Sequence, residues 1–259
     1  MARGLAGEGI PLDKWYNKPD MPEFDNDKYD LPSDQASNGK LNRLRAAVLG
    51  ANDGIVSVSS IVMGVAGATS DSKAISLAGM AALIAGALSM AVGEYVSVSS
   101  QSDAEKAYID LEKDDLRENP TEELDELARE YVKLGLSRKT ADVVARELTA
   151  KDALRSHLRV HFNLDPDDIN NPWQAAIASF LAFTAGGLVP FLAILLTPPE
   201  LRIVATVGAV IAALVTVGLP SAYAGNASKL RAVGRVVVGG VLAMVITYLV
   251  GVLFGTTIA

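Results

Sequence analysis

Residues 74–100 read AISLAGMAALIAGALSMAVGEYVSVSS, 27 residues with a single charge. As a helix it is long enough to cross a hydrocarbon core of about 30 Å, yet it carries Glu94 well inside it. The preceding apolar run, 44–69, carries Asp53 in the same way. An ionisable group at membrane depth is costly unless it is paired, protonated or beside water, so it marks an ion or proton path by default. Met90 lies one turn before Glu94 on the same helix face, and Asn52, Ser57, Ser89 and Ser97 add oxygens nearby.

Working outward, three further runs have the length of a crossing: 174–197, 200–223 and 233–255. Backbone polar groups must be satisfied within the bilayer, so each run reads as a helix. The predicted fold is all-α, a polytopic membrane protein with five transmembrane helices. Spans one and two occupy 44–100, a helical module fills 101–172, and spans three to five occupy 173–259.

Half of the 259 residues are hydrophobic and only 6% are aromatic, with charge strongly segregated, which excludes an ordinary soluble enzyme. There is no cysteine, so disulfides, thiolate metal sites and cysteine nucleophiles are excluded. The formal charge of -7 has one source. Residues 101–172 hold 18 Asp/Glu against 11 Lys/Arg, and the rest of the chain sums to zero. Such a module favours multivalent cations and disfavours nucleic acid. Residues 1–43 contain Pro11, Pro19, Pro22 and Pro32 and no apolar core of signal-peptide length. They read as a disordered tail in which Trp15, Tyr16, Phe24 and Tyr29 are stray aromatics.

Basic residues set the orientation. Lys40, Arg43, Arg45, Lys229, Arg231 and Arg235 collect on one side, against Lys73 and Arg202 on the other. The positive-inside rule then puts the N-terminus and the module in the cytoplasm and the C-terminus outside. Asp53 and Glu94 each lie about 8 residues, roughly 12 Å, from the cytoplasmic end of their span, so comparable depth is expected. A thioether beside carboxylates favours a transition metal over Mg²⁺ or Ca²⁺. Proton release on metal binding is the physical basis of metal/proton exchange. Glycines at 79, 86 and 93, and the pairs Gly50/Gly54 and Gly251/Gly255, allow close helix packing, either within the chain or between two copies. Pro190 and Pro220 are expected to kink spans three and four.

In the module the second span continues through Ser100 to about Glu118. A helix capped by Thr121 follows and stops at Gly135; another starts at Ser137, and a last stretch covers about Asp152 to Phe162. Glu112/Asp115 and Glu123/Glu126 are i,i+3 pairs, which read either as solvated faces or as a carboxylate cage. His157 and His161, the only histidines, share a face at i,i+4, as surface residues or as a metal pair. No Walker signature or nucleotide fingerprint is present, so transport powered by this chain's own ATP hydrolysis is not expected.

The run Gly50-Ala-Asn-Asp-Gly-Ile-Val-Ser57 and the run Gly86 to Gln101 resemble the first two spans of the vacuolar iron transporter family. Asn171-Pro-Trp-Gln-Ala-Ala176, Gly186-Gly-Leu-Val-Pro190 and Gly225-Asn226 fit as well, so the resemblance covers about residues 42 to 256. It implies a five-span, dimeric, non-enzymatic antiporter that moves Fe²⁺ out of the cytoplasm in exchange for protons, with Mn²⁺ or Zn²⁺ as further ions. It also implies membrane-path roles for Asp53 and Met90 and metal binding at Glu112, Asp115, Glu123 and Glu126. The plant-type pattern has a Glu where Ala82 stands here, so Glu94 supplies the second membrane carboxylate. The plant-type Met-Met and Glu of the last module helix fall on His157, Leu158 and His161. The Gly-Glu-Tyr version and the long tail suggest a prokaryotic plasma membrane. A membrane-anchored metal-binding protein and a ferroxidase-like di-metal enzyme are the rival readings.

Overall fold

The computed structural model describes residues 38–224 and 228–258. The tail of residues 1–37 lies outside the described residues, as does the turn at Gly225-Asn226. Seven helices are seen among the described residues: α1 (Asn38–Ala68), α2 (Ser72–Glu118), α3 (Pro120–Lys133), α4 (Arg138–His161), α5 (Pro172–Leu196), α6 (Arg202–Ala224) and α7 (Lys229–Ile258). Five of them, α1, α2, α5, α6 and α7, are long and apolar enough to cross a membrane. The chain is an all-α, multi-pass membrane protein.

The longest element sets the layout. α2 runs unbroken for 47 residues, about 70 Å at 1.5 Å per residue, so its second half leaves the bilayer and becomes part of the module. Residues 101–118 contain no Gly or Pro and are rich in Glu, Lys, Leu, Ala and Asp, so nothing locally ends the helix. It stops at Asn119 (φ -132°, ψ 51°), because the residue before a proline is driven out of the α region. α3 then starts with Pro120 in its first turn and Asn119 as its N-cap. The cap is therefore not Thr121, since the ring of Pro120 already fixes the first helical φ.

The other module boundaries follow local chemistry. Gly135 takes φ +104° just after α3, the left-handed conformation that favours glycine. Ser137 caps α4 by accepting from the Thr140 amide. α4 is interrupted at Asp152 (φ -166°, ψ 93°), whose carboxylate accepts from the Arg155 amide at 3.0 Å and so caps the second half. A small core of Leu127, Ala128, Ala141 and Ala145 joins α3 to α4.

In the membrane part, α1 is central and packs on α2, α5, α6 and α7. Val58 and Val62 join Leu83, Phe183 and Phe191 in one core. Ile55 and Met63 join Val210, Leu214 and Met244 in another. Close approach depends on glycine: a Cβ at Gly54 would lie 2.2 Å from the Phe183 carbonyl oxygen, and one at Gly251 would lie 1.8 Å from that of Gly64. Both GxxxG pairs are thus used within the chain, whereas Gly93 has nothing within 4 Å of its missing Cβ. α5 continues as a helix through the buried Pro190, and α6 through Pro220. The outward side of α2 exposes Leu77, Ile84, Leu88, Val92 and Val96, the apolar surface that a bilayer requires.

Candidate metal centre and membrane path

One stripe of α2 organises the site. Glu94, Val98, Ser102, Glu105, Ile109 and Glu112 are its buried residues beyond Ala87. They follow steps of three and four, so they line a single helix face. Three of the six are carboxylates, spread over 18 residues, about 27 Å of helix.

At the far end Glu112 meets α3 and α4. The His157 Nδ1 lies 2.8 Å from Glu112 Oε1 and 3.4 Å from Glu123 Oε2, and its side chain is fully buried. Three helices therefore deliver two carboxylate oxygens and one imidazole nitrogen to one point. Neither nitrogen of His157 nor Glu112 Oε1 has a hydrogen-bond partner, despite the short contact. Buried groups of this kind require an explanation, and an ion between them is one. Ligand atoms at right angles around an ion at about 2.1 Å lie about 3 Å apart, which matches these separations.

Electrostatics agree. Burial pushes the Glu112 and Glu123 carboxyls above the ordinary range, and for Glu112 His161 offsets part of this while Glu123, Asp115 and Glu126 add to it. For Glu123 the charges of Glu126 and Asp115 add to burial. His157 is held down to about 4 by burial, with His161 contributing, so the imidazole is neutral and able to ligate near neutral pH. His161 stands beside it, ring centroids 5.5 Å apart, with its Nδ1 3.9 Å from Glu126 Oε1. The fold thus makes Glu112, Glu123 and His157 converge, with His161 and Glu126 beside them and the charge of Asp115 acting on both glutamates. The basic side chains serve the outer acids instead: Arg138 bonds Asp125 and Asp142, and Arg155 bonds Asp167. Carboxylates with imidazole form a donor set suited to Fe²⁺, Mn²⁺ or Zn²⁺.

In the membrane part each acid has its own partner. Asp53 accepts from the Ser57 hydroxyl at 2.7 Å. Glu94 accepts from the Arg45 guanidinium at 3.3 Å. Comparable depth for the two acids is not what the packing gives. Gly79 sits against Val62, and Leu83 and Val58 both flank Gly187, a register that sets Asp53 abreast of Leu88 and Glu94 abreast of Ala47. Glu94 is thus about 9 Å nearer the module end than Asp53. Met90, packed against the Val58 and Leu83 core, lies within about 3 Å of the Asp53 level. Depth counted from the ends of apolar runs misleads here, because α2 does not end where its apolar run does.

Two residues escaped the sequence reading as site residues. Arg45 served only to orient the chain, although its position two turns before Asp53 places it at the mouth of the hairpin. Glu105 reads in the sequence as one acid among the many of the module, although the steps of four and three from Glu94 to Glu112 pass through it.

Known proteins resemble this chain over most of its length. The model of the VIT family matches residues 44–252. A vacuolar iron transporter of Acanthamoeba castellanii is 39% identical over 236 residues, covering 91% of this chain and 85% of that protein. Vacuolar iron transporter homolog 2 of Arabidopsis thaliana is 37% identical over 206 residues, covering 79% and 81% respectively. Vacuolar iron transporter homolog 1 of Oryza sativa subsp. japonica is 37% identical over 213 residues, covering 82% and 74%.

Proposed function

Because this chain belongs to the VIT family, we propose that it is a divalent-metal transporter, not an enzyme, that carries Fe²⁺ out of the cytoplasm in exchange for protons. Mn²⁺ and Zn²⁺ are further candidate cargoes. The observation that carries the reading is that one continuous helix, α2, runs from Met90 and Glu94 near its middle to Glu112, its ligand in the buried carboxylate–imidazole centre.

In this reading Glu112, Glu123 and His157 capture the ion, with Asp115, Glu126 and His161 supplying charge around them. The ion passes to Glu94 at the mouth and then to Asp53 and Met90. At Glu94 it replaces the guanidinium of Arg45, an exchange of one cation for another that keeps the carboxylate paired. Protons arriving from the opposite face neutralise the carboxylates and release the ion. The basic residues at the module end support a cytoplasmic module and an outside C-terminus. The membrane is read as a prokaryotic plasma membrane and the assembly as a homodimer, which light scattering of the detergent-solubilised protein tests.

The deciding experiment is Fe²⁺ flux in proteoliposomes under a set pH gradient, comparing wild type with Asp53→Ala. Flux that follows the gradient and disappears in the variant is expected. Flux indifferent to the gradient would refute proton exchange. No flux in either protein, together with tight metal binding, would leave a membrane-anchored metal binder.

A further inference from the structure

The proposed path leaves a gap. From Glu112 to Glu94 is about 27 Å along α2, and the ion must cross it between the module and the membrane. Glu105 lies in this gap on the same stripe and is only 8% exposed. Its Oε1 accepts from Gln101 Nε2 at 2.9 Å, while its Oε2 is buried with no hydrogen-bond partner. A carboxylate oxygen withdrawn from water without a donor is costly, and a cation offsets that cost.

The segment that covers this part of α2 holds a second such group. The connection from α4 to α5 is tied to α2 at both ends: Phe162 stacks on Tyr108 at 4.6 Å, and Trp173 meets Tyr95 at 4.8 Å. Residues 163–172 therefore connect the level of Tyr108 to that of Tyr95, the stretch of α2 that holds Glu105 and Ser102. Within this connection Asn170 is 4% exposed, and its Oδ1 is also buried without a partner. Interpolating between the two ring contacts puts Asn170 near the level of Val98 and Ser99, roughly midway between Glu105 and Glu94.

We infer that Glu105 and Asn170 are two successive transit positions for a partly hydrated divalent cation in the neck between the module and the membrane path. The steps from Glu112 to Glu105, to the Asn170 level and to Glu94 are then about 10, 10 and 7 Å along the helix. The donors here are oxygens only and few. The ion keeps some of its water and binds more weakly than at the nitrogen-containing centre, as a site that must also release its ion requires.

This inference rests on the transport reading, and the two fail differently. If transport is wrong, wild type carries no flux; if only the transit positions are wrong, wild type transports and the neck variants match it. The full-length protein is reconstituted with Glu105→Gln, Glu105→Asp and Asn170→Ala. Mn²⁺ flux is measured beside Mn²⁺ affinity in detergent, which reports the His157 centre. Glu105→Gln is expected to lower flux about tenfold, Asn170→Ala about threefold, and Glu105→Asp to retain most of it, with affinity at the centre unchanged. Wild-type flux in Glu105→Gln would overturn the proposal, as would a parallel loss of affinity at the centre, the mark of a merely structural role. Crystals of wild type soaked in Mn²⁺ give an independent readout should a variant not fold. Anomalous density beside Glu105 Oε2 is expected, and its absence at concentrations that fill the His157 centre would overturn the proposal.

Discussion

The Arg45 guanidinium lies 3.3 Å from Glu94 Oε1, joining the first turns of α1 to the stripe of α2 that leads into the module. The two partners differ in exposure, 58% for the arginine side chain and 9% for the glutamate. Removing the arginine therefore strands a buried carboxylate, whereas removing the glutamate leaves an arginine free to turn to water. Arg45→Ala is expected to destabilise the protein by about 1–3 kcal/mol. Arg45→Ala with Glu94→Gln should recover part of that loss. Thermal unfolding in detergent across the double-mutant cycle measures it; equal losses in both single variants and no recovery would contradict the asymmetry.

His157 and His161 are expected to separate sharply under substitution. His157 supplies a converging nitrogen from a fully buried ring, while His161 stands beside Glu126 at 3.9 Å. His157→Ala should weaken Mn²⁺ or Fe²⁺ binding at the module at least tenfold, about 1.4 kcal/mol, and His161→Ala distinctly less. Calorimetric titration of the full chain in detergent checks the order, and equal effects would remove His157 from its place as a ligand.

Acid should act on the metal-free protein through His157. In the unfolded chain the imidazole takes up a proton as pH falls through 6.5, but the buried ring does not until about 4. Its contribution to stability is therefore present above 6.5 and lost as pH falls to about 4, a loss on the order of 3 kcal/mol. His157→Asn should flatten the acid limb of the stability profile across that window. A wild-type imidazole signal that titrates near 6.5 and is absent from His157→Asn would contradict the burial argument.

Glu112 and Glu123 act in the opposite sense. Their carboxyls are raised by burial, so their contribution is present below the ordinary value and lost as pH rises through the raised one. A divalent cation competes with the protons these raised carboxyls retain, and that competition weakens as pH rises. Added Mn²⁺ should raise the melting temperature more at pH 7 than at pH 5. Glu112→Gln should reduce that difference.

The helix contacts make a prediction of their own. Gly54→Ala and Gly251→Ala place a methyl group against backbone oxygens and should each cost more than about 2 kcal/mol through forced helix separation. Gly93→Ala meets nothing within 4 Å and should be neutral or stabilising by up to about 1 kcal/mol. Melting temperatures of the three variants settle the comparison.

Much of this was legible in the chain itself. Apolar length defined the five crossings, since a bilayer imposes a minimum run and forbids unsatisfied backbone. Asn119-Pro120, Gly135 and Ser137 marked the module's boundaries, because steric exclusion before proline, the left-handed glycine and side-chain capping are local effects. The i,i+3 acids and the i,i+4 histidines displayed their chemistry at helical spacing. Which of two readings held for each, solvated face or buried centre, was not legible.

That choice belongs to the tertiary structure. Burial of Glu112 and His157, the pairing of Arg45 with Glu94 and the orphaned oxygens of Glu105 and Asn170 all arise between segments far apart in the chain. The depth offset of Asp53 and Glu94 comes from the register in which α1, α2 and α5 interlock at their glycines. Which residues carry charge and which runs cross the bilayer is written along the chain, since both depend only on residue type and near neighbours. Only packing decided which of those charges lose their water, because desolvation is set by what the rest of the fold lays over them.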